Sequence, residues 1–146
     1  MRFNMYVPTR FIFGNGRLSE LSQYKMPGKK AMIVTTNGTS VFKNGAYDNT
    51  VEQLNKAGVT SVLFNEVQAN PLKSTVMWCC VCKENQCDFI VALGGGSVMD
   101  AAKAMAFMAA IRVTYGIILW AEAEKVSPCR RNRFHCMYYS NRRHRF

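Results

Sequence analysis

Three consecutive glycines followed by a serine are the residues of this chain best suited to bind a ligand. Gly94, Gly95, Gly96 and Ser97 stand between an apolar run and an alanine-rich run. Glycine lets the backbone approach a bulky ligand, and the unbonded N–H groups at the start of a helix attract anions. The spacing therefore predicts a phosphate or pyrophosphate site at this turn. The alternative is a strand-to-helix turn in which glycine serves close packing alone.

The residues on both sides of the turn predict a strand and a helix that position it. Residues 89–93 form a short continuous apolar run, as in a strand buried on both faces of a parallel sheet. Residues 101–108 are strong helix formers. The other predicted strands are residues 2–13, 29–36 and 60–67, and the other predicted helices are residues 17–24, 48–57 and 73–86. This alternation predicts an α/β fold with a Rossmann-like parallel sheet and flanking helices.

The turn and its helix resemble the signature of a known family. The string GGGSVMDAAKAMA, residues 94–106, is similar to the cofactor-binding signature of the iron-containing, group III alcohol dehydrogenases. Three other segments resemble family features in the same order: an opening strand and turn at residues 6–16, a first Rossmann-type strand at residues 30–36, and an Asn-Pro turn at residues 70–71. The resemblance covers residues 1–109 and is nearest to the butanol-dehydrogenase-type members.

The resemblance implies the cofactor-binding residues. The glycine turn, Gly94 to Ser97, would bind the dinucleotide pyrophosphate, Asp100 would lie in the cofactor site, and Asn70 would lie at the cofactor cleft. Two plainer interpretations stay open. An aspartate in a first helical turn interacts favourably with the helix dipole without any ligand. Lys103 fits a solvated lysine better than a catalytic one.

The loop after the strand at residues 29–36 bears on the choice of cofactor. A carboxylate at this place usually binds the ribose 2′-hydroxyl of NAD, and residues 36–40 contain none. The backbone at Gly38 and the hydroxyl of Ser40 would tolerate a 2′-phosphate. The loop therefore favours NADP(H) over NAD(H), with an ordinary polar turn as the alternative.

A metal site is implied for the family but not for these residues. The family binds Fe²⁺ or another divalent metal with an aspartate and histidines of a C-terminal helical domain, which the resemblance does not include. Residues 1–110 contain no histidine, and His135 and His144 do not match ligand positions. We therefore predict no catalytic and no metal residues here. The chain would be the truncated, NAD(P)-binding half of an enzyme that interconverts primary alcohols and aldehydes, and inactive alone.

The last quarter of the chain differs from the rest in charge. Residues 111–146 contain 8 Lys+Arg and 2 Asp+Glu, whereas residues 1–110 contain 11 and 7. One interpretation is a small basic nucleic-acid-binding module that uses the Arg-rich tail. However, shifted reading frames of residues 110–130 and 135–146 can encode strings similar to family sequence. We therefore predict a dinucleotide-binding domain at residues 1–109 and an out-of-frame, disordered basic tail at residues 110–146, and we disfavour a nucleic-acid partner.

The six cysteines do not match a zinc site. Cys79, Cys80 and Cys82 lack the paired C-x-x-C spacing of a zinc ribbon, and no histidine is near. Free thiols in a reducing, cytoplasmic compartment are the expectation. The same cysteines, beside Trp78, replace small and polar residues of the family, and residues 70–94 are one residue shorter than its usual spacing. The packing of the helix at residues 73–86 is therefore in doubt.

The expected partners are small molecules. They are a dinucleotide for this chain and an alcohol or aldehyde for the full-length relative, which in this family is often a homodimer. No run approaches the about 20 apolar residues that a membrane span needs, so no membrane partner is expected. A sheet without its later strands would leave an exposed edge, which predicts poor solubility.

Overall fold

The computed structural model describes residues 10, 12–68, 79–110 and 135–139. A four-stranded sheet with the order β2-β1-β3-β4 forms its centre, and every pairing is parallel. The strands are β1 (Lys30–Thr36), β2 (Thr60–Val67), β3 (Phe89–Leu93) and β4 (His135–Tyr139). The helices are a 3₁₀ helix (Arg17–Gln23), α1 (Ser40–Lys43), α2 (Ala46–Lys56), α3 (Cys79–Glu84) and α4 (Gly96–Ala110). The predicted α/β class with a parallel sheet and flanking helices is confirmed.

The two central strands, β1 and β3, are buried on both faces, which confirms the prediction made for residues 89–93. Even-numbered residues of β1 and β3, among them Met32 and Ile90, pack with α3 and α4. Odd-numbered residues, among them Ile33 and Val91, pack with the 3₁₀ helix, α1 and α2. Because successive side chains of a strand point to opposite faces, one apolar run supplies both halves of the core.

Helix α4 begins five residues before the alanine-rich run that predicted it. The carbonyl of Gly95 accepts the N–H groups of Val98 and Met99, both at 3.1 Å, and these bonds close the first turn. The buried side chain of Val98 anchors that turn in the core, so packing outweighs the weak helix propensity of glycine. Asp100 consequently lies in the second turn, and its interpretation as a first-turn residue is wrong.

Helix α2 begins at Ala46, two residues before the predicted start. The side-chain oxygen of Asn44 accepts the N–H of Ala46 at 3.0 Å, and Gly45 takes a left-handed conformation before the helix. Gly58 follows the helix with a φ of 72°, as a C-terminal stop requires, and this predicted stop is confirmed. In the described parts of the chain, no helix is both long and apolar enough to cross a membrane.

Strand β4 comes from the segment expected to be a tail. It pairs with β3 from Phe89 opposite His135 to Leu93 opposite Tyr139. The sequence predicts no strand there, because a five-residue run without a clear alternating pattern has no local signature. Pairing with a buried neighbour supplies what the local pattern does not. The rest of the predicted tail, residues 110–134 and 140–146, lies outside the described residues except for the end of α4.

Two predicted elements overlap the described residues only in part. The strand predicted at residues 2–13 falls mainly on residues 2–9 and 11, which are outside the described part. Ile12 and Phe13 are described and belong to no strand, and the side chain of Phe13 is almost fully exposed. The helix predicted at residues 73–86 is described from Cys79 onwards, where α3 forms.

Candidate functional site

The strand order creates a crevice at the carboxyl ends of β1 and β3. These strands are neighbours, but the chain continues from β1 to β2 on one side of the sheet and from β3 to β4 on the other. Open α/β sheets bind ligands at the point where the connections diverge in this way. The loop with Gly38 and Ser40 follows β1, and the glycine turn follows β3. The fold therefore brings both predicted segments to one edge of the sheet.

The N-terminus of α4 opens at this crevice. Its first helical hydrogen bond is donated by Val98, so the N–H groups of Gly95, Gly96 and Ser97 precede the intrahelical pattern. Aligned peptide dipoles over 15 residues add a partial positive charge at this end. The arrangement suits a phosphate or pyrophosphate group.

Two glycines of the turn have different reasons to lack a side chain. A Cβ on Gly94 would lie 2.7 Å from Cγ2 of Val98, a contact that the buried core does not allow. A Cβ on Gly96 would meet no described atom within 4 Å. Gly94 is therefore explained by packing, as the plainer interpretation of the turn requires. Gly96 borders open space at the start of the helix, as a ligand site requires.

The loop after β1 is held from two sides. The hydroxyl of Thr35 donates to the carbonyl of Leu93 at 2.9 Å, and the N–H of Asn37 donates to the carbonyl of Val67 at 3.2 Å. Gly38 and Ser40 follow as exposed residues, with Ser40 at the start of α1. Sequence reasoning missed Thr35. Its only signal is a threonine that follows the apolar residues 31–34 in a predicted strand.

Asp100 lies one turn further along α4 and on its exposed side. Its carboxylate is 3.8 Å from the ammonium of Lys103, and both side chains are more than half exposed. The exposed position of Lys103 agrees with its interpretation as a solvated lysine. Asn70, the remaining predicted cofactor residue, lies outside the described residues.

The described residues do not fit a metal centre. Among residues 10, 12–68, 79–110 and 135–139, no three histidine, cysteine, aspartate or glutamate side chains come together as metal ligands would. Iron chemistry therefore has no donor set in this part of the protein.

The opposite edge of the sheet is closed by one carboxylate. Oδ2 of Asp88 accepts the N–H groups of Lys29 at 2.7 Å and Lys30 at 2.9 Å, just where β1 begins. Gly28 lies against this carboxylate, since a Cβ there would be 2.7 Å from Cγ of Asp88. At the amino edge, two hydrogen bonds from backbone N–H groups to this side chain therefore hold the strands together. These bonds join the starts of β1 and β3.

A pair of cysteines lies shortly before Asp88 in the chain. Cys82 and Cys87 are reduced and buried, and the N–H of Cys87 donates to the carbonyl of Cys82 at 2.9 Å. A hydrogen bond from the Cys82 side chain lowers the pKa of the Cys87 thiol, and the charge of Lys30 adds to this effect. Burial and the charge of Asp88 oppose it, and the net direction is a lowered pKa.

The chain matches the model of one protein family, the iron-containing alcohol dehydrogenases, over residues 8–132. The match extends beyond residue 109, where the resemblance was expected to end. Alignments with individual relatives are shorter, at 105 residues for a probable NADH-dependent butanol dehydrogenase of Bacillus subtilis that is 42% identical. This alignment covers 71% of the chain and 27% of the relative.

Two further proteins show the same relationship. An NADP-dependent alcohol dehydrogenase of Entamoeba histolytica is 34% identical over 108 residues, which cover 73% of the chain and 27% of that protein. The crystal structure of a mutant alcohol dehydrogenase from a halo-thermophilic archaeon of a Red Sea brine pool superposes with a TM-score of 0.79 at 30% identity. That superposition covers 96% of the chain and 36% of the crystallised protein.

The chain thus spans about a quarter to a third of the length of the proteins it resembles. Its glycine turn, the sheet that carries the turn and the family match agree with one another. The chain belongs to the iron-containing alcohol dehydrogenase family.

Proposed function

We propose that the crevice between β1 and β3 binds a nicotinamide dinucleotide. The observation that carries this proposal is that a glycine turn opens a 15-residue helix at the point where the strand connections diverge. The pyrophosphate would accept hydrogen bonds from the N–H groups of Gly95, Gly96 and Ser97. Gly96 has no described atom within 4 Å of its missing Cβ, so a phosphate oxygen has room to approach.

The adenosine ribose would lie beside the loop after β1. Gly38 and Ser40 are exposed there, and residues 36–40 contain no carboxylate that would repel a 2′-phosphate. On this ground we propose NADP(H) as the preferred cofactor. The related proteins divide on this point, since one is described as NADH-dependent and another as NADP-dependent. Asn70 and Asp100 complete the proposed cofactor residues through their match to the family motifs.

The whole protein would interconvert a primary alcohol and an aldehyde. The bound nicotinamide supplies the chemistry, because its ring accepts or gives up the hydride. The residues described contribute binding and orientation of the dinucleotide and offer no group of metal ligands. We therefore propose that the 146-residue chain binds the dinucleotide without oxidising alcohols.

Titration of the purified chain with NADPH and with NADH tests this proposal. We expect saturable binding of NADPH with a dissociation constant below about 1 mM, which corresponds to a binding free energy of about −4 kcal/mol, and weaker binding of NADH. Circular dichroism on the same sample establishes that the chain is folded. A folded chain that binds neither dinucleotide would overturn the assignment of the crevice. Tighter binding of NADH would overturn only the preference for NADP(H).

A second assay addresses activity. The chain is incubated with butanol, NADP⁺ and Fe²⁺, and NADPH is followed by absorbance. We expect no rate above that of heat-denatured chain. Alcohol oxidation that depends on the folded chain would contradict the proposal that the described residues only bind.

The remaining sequence-based expectations keep their status as predictions. The arginines proposed for nucleic-acid binding lie at residues 112–133 and 142–145, outside the described residues. The homodimer and the cytoplasmic location are likewise predictions. A salt-dependent affinity for DNA or RNA would be the finding that favours the alternative function.

A further inference from the structure

We infer that Thr35 is a positioning residue that sets the separation of β1 and β3 at the mouth of the crevice. This inference rests on the proposed dinucleotide site. The side chain of Thr35 is fully buried and would not touch the cofactor itself. It would act through the two loops that do.

The backbone pairing of β1 and β3 ends just before this residue. The ladder runs from Ala31 opposite Phe89 to Val34 opposite Ala92. On its other side, the pairing of β1 with β2 shifts register between Val34 and Thr36. β1 therefore stops pairing with β3 before Thr35, while its pairing with β2 is interrupted at Thr35 and resumes with Thr36 opposite Val67. Its hydroxyl donates to the carbonyl of Leu93 at 2.9 Å and supplies a link beyond the end of the ladder.

This one hydrogen bond connects both ligand loops. Leu93 is followed directly by Gly94, and Gly94 is held against Val98 in the first turn of α4. On the other strand, Thr35 is followed by Thr36 and by the loop that carries Gly38. A change in the distance between Thr35 and Leu93 therefore moves the helix N-terminus relative to the loop after β1. The affinity for a dinucleotide that contacts both loops would therefore change.

Thr35 is the one buried residue of β1 with a polar side chain. The preceding residues of β1, from Ala31 to Val34, are all apolar and buried. A buried hydroxyl loses its hydration and is tolerated because a hydrogen bond replaces it. Valine has nearly the same volume and cannot donate, so it removes the link and leaves the packing.

Thr50 offers a matched control. It is also fully buried, and its hydroxyl donates to the carbonyl of Ala46 at 2.7 Å. This bond lies inside α2 and not at the carboxyl edge of the sheet. The change Thr50→Val therefore removes a bond of the same type from the same degree of burial, without altering the crevice.

The test uses the 146-residue chain with the variants Thr35→Val, Thr35→Ser and Thr50→Val. The dissociation constant for NADPH and the free energy of unfolding in urea are measured for each. We expect Thr35→Val to weaken NADPH binding by about tenfold, whereas Thr35→Ser and Thr50→Val stay within about twofold of the unmodified chain. Thr50→Val reports how much a lost buried hydroxyl affects binding through stability alone.

The outcomes separate this inference from the proposed function. If the unmodified chain binds NADPH and Thr35→Val binds it equally well, the positioning role is overturned and the dinucleotide site stands. Equal weakening by Thr35→Val and Thr50→Val also overturns it, since stability would then explain both. If the folded, unmodified chain binds no dinucleotide, the site and this inference fail together. Should Thr35→Val not fold, Thr35→Ala against Thr35→Ser gives the same comparison of a chain without and with the hydroxyl.

Discussion

The two edges of the same sheet are built in opposite ways. At the amino edge, the carboxylate of Asp88 accepts two backbone N–H groups of the segment that enters β1, and Gly28 packs directly against it. At the carboxyl edge, a helix begins with N–H groups ahead of its first hydrogen bond, and Gly96 faces open space. Each edge contains a glycine close to the end of a central strand: Gly28 precedes β1, and Gly96 follows β3. Gly28 is half-buried against Asp88, whereas Gly96 is exposed.

The difference separates stability from binding. Backbone N–H groups at the amino edge already have protein acceptors, so a ligand has nothing to gain there. The N–H groups at the carboxyl edge precede the first helical hydrogen bond and are able to donate to an anion. Alanine substitutions at three glycines should therefore divide into losses of stability and losses of affinity. The substitution Asp100→Asn tests whether the cofactor site at the carboxyl edge extends as far as Asp100.

The largest effect is expected for Gly94→Ala. Its new Cβ would lie 2.7 Å from Cγ2 of Val98, a fully buried and conformationally stiff side chain. We expect the free energy of unfolding to fall by about 2–3 kcal/mol, as in overpacked cores, and NADPH affinity to fall with it because the turn must move. Urea denaturation and NADPH titration measure the two quantities. Unchanged stability would show that the turn adapts freely.

A smaller loss of stability is expected for Gly28→Ala. Its Cβ would clash with Cβ of Asp88 and lie 2.7 Å from Cγ and Oδ2 of the same residue. Rotation of the Asp88 side chain does not move its Cβ, so the irregular segment before β1 must shift, at the expense of the bonds that Lys29 and Lys30 donate to Asp88. We expect a loss of about 1–2 kcal/mol in unfolding free energy and unchanged NADPH affinity. A clear fall in affinity would contradict the separation of the two edges.

The reverse result is expected for Gly96→Ala. Alanine is the better helix former and no described atom lies within 4 Å of the new Cβ, so stability should stay the same or rise by about 0.5 kcal/mol. The methyl group would occupy the approach of the pyrophosphate, and we expect NADPH affinity to fall about tenfold, equal to about 1.4 kcal/mol. The same titration and urea denaturation serve as readouts. Unchanged affinity would place the pyrophosphate elsewhere.

The smallest effect is expected for Asp100→Asn. The ion pair with Lys103 is exposed and 3.8 Å long, so its loss should change stability by less than about 0.5 kcal/mol. If Asp100 belongs to the cofactor site, the Asp100→Asn variant binds NADPH about threefold more weakly than the unmodified chain, which is about 0.6 kcal/mol. Lys103→Gln breaks the same pair from the other side and is the control. Equal effects of the two variants would assign the change to the ion pair alone.

The pattern of apolar residues along the chain was sufficient to predict three of the four described strands. Residues 29–36, 60–67 and 89–93 were predicted as strands and form β1, β2 and β3 within one residue of those bounds. Residues 89–93 form an unbroken apolar run and are buried throughout, whereas β2 lies at the edge of the sheet and is only partly buried. The N-terminus of this helix was predicted where the glycines end, and α4 begins there, at Gly96, with the buried side chain of Val98 in its first turn. β4 was missed because its stability comes from pairing with β3.

Residues close together in the chain were enough to predict the α/β class and the family, and the proposed anion site at the glycine turn rests on the same local pattern. Tertiary structure alone decided which loops share the crevice, since the strand order β2-β1-β3-β4 is not written in any segment. It also decided that Gly94 serves packing while Gly96 faces open space, and that Thr35 bonds across to Leu93, 58 residues away in the chain. Contacts between distant segments depend on how the whole sheet assembles, and no local pattern encodes that assembly.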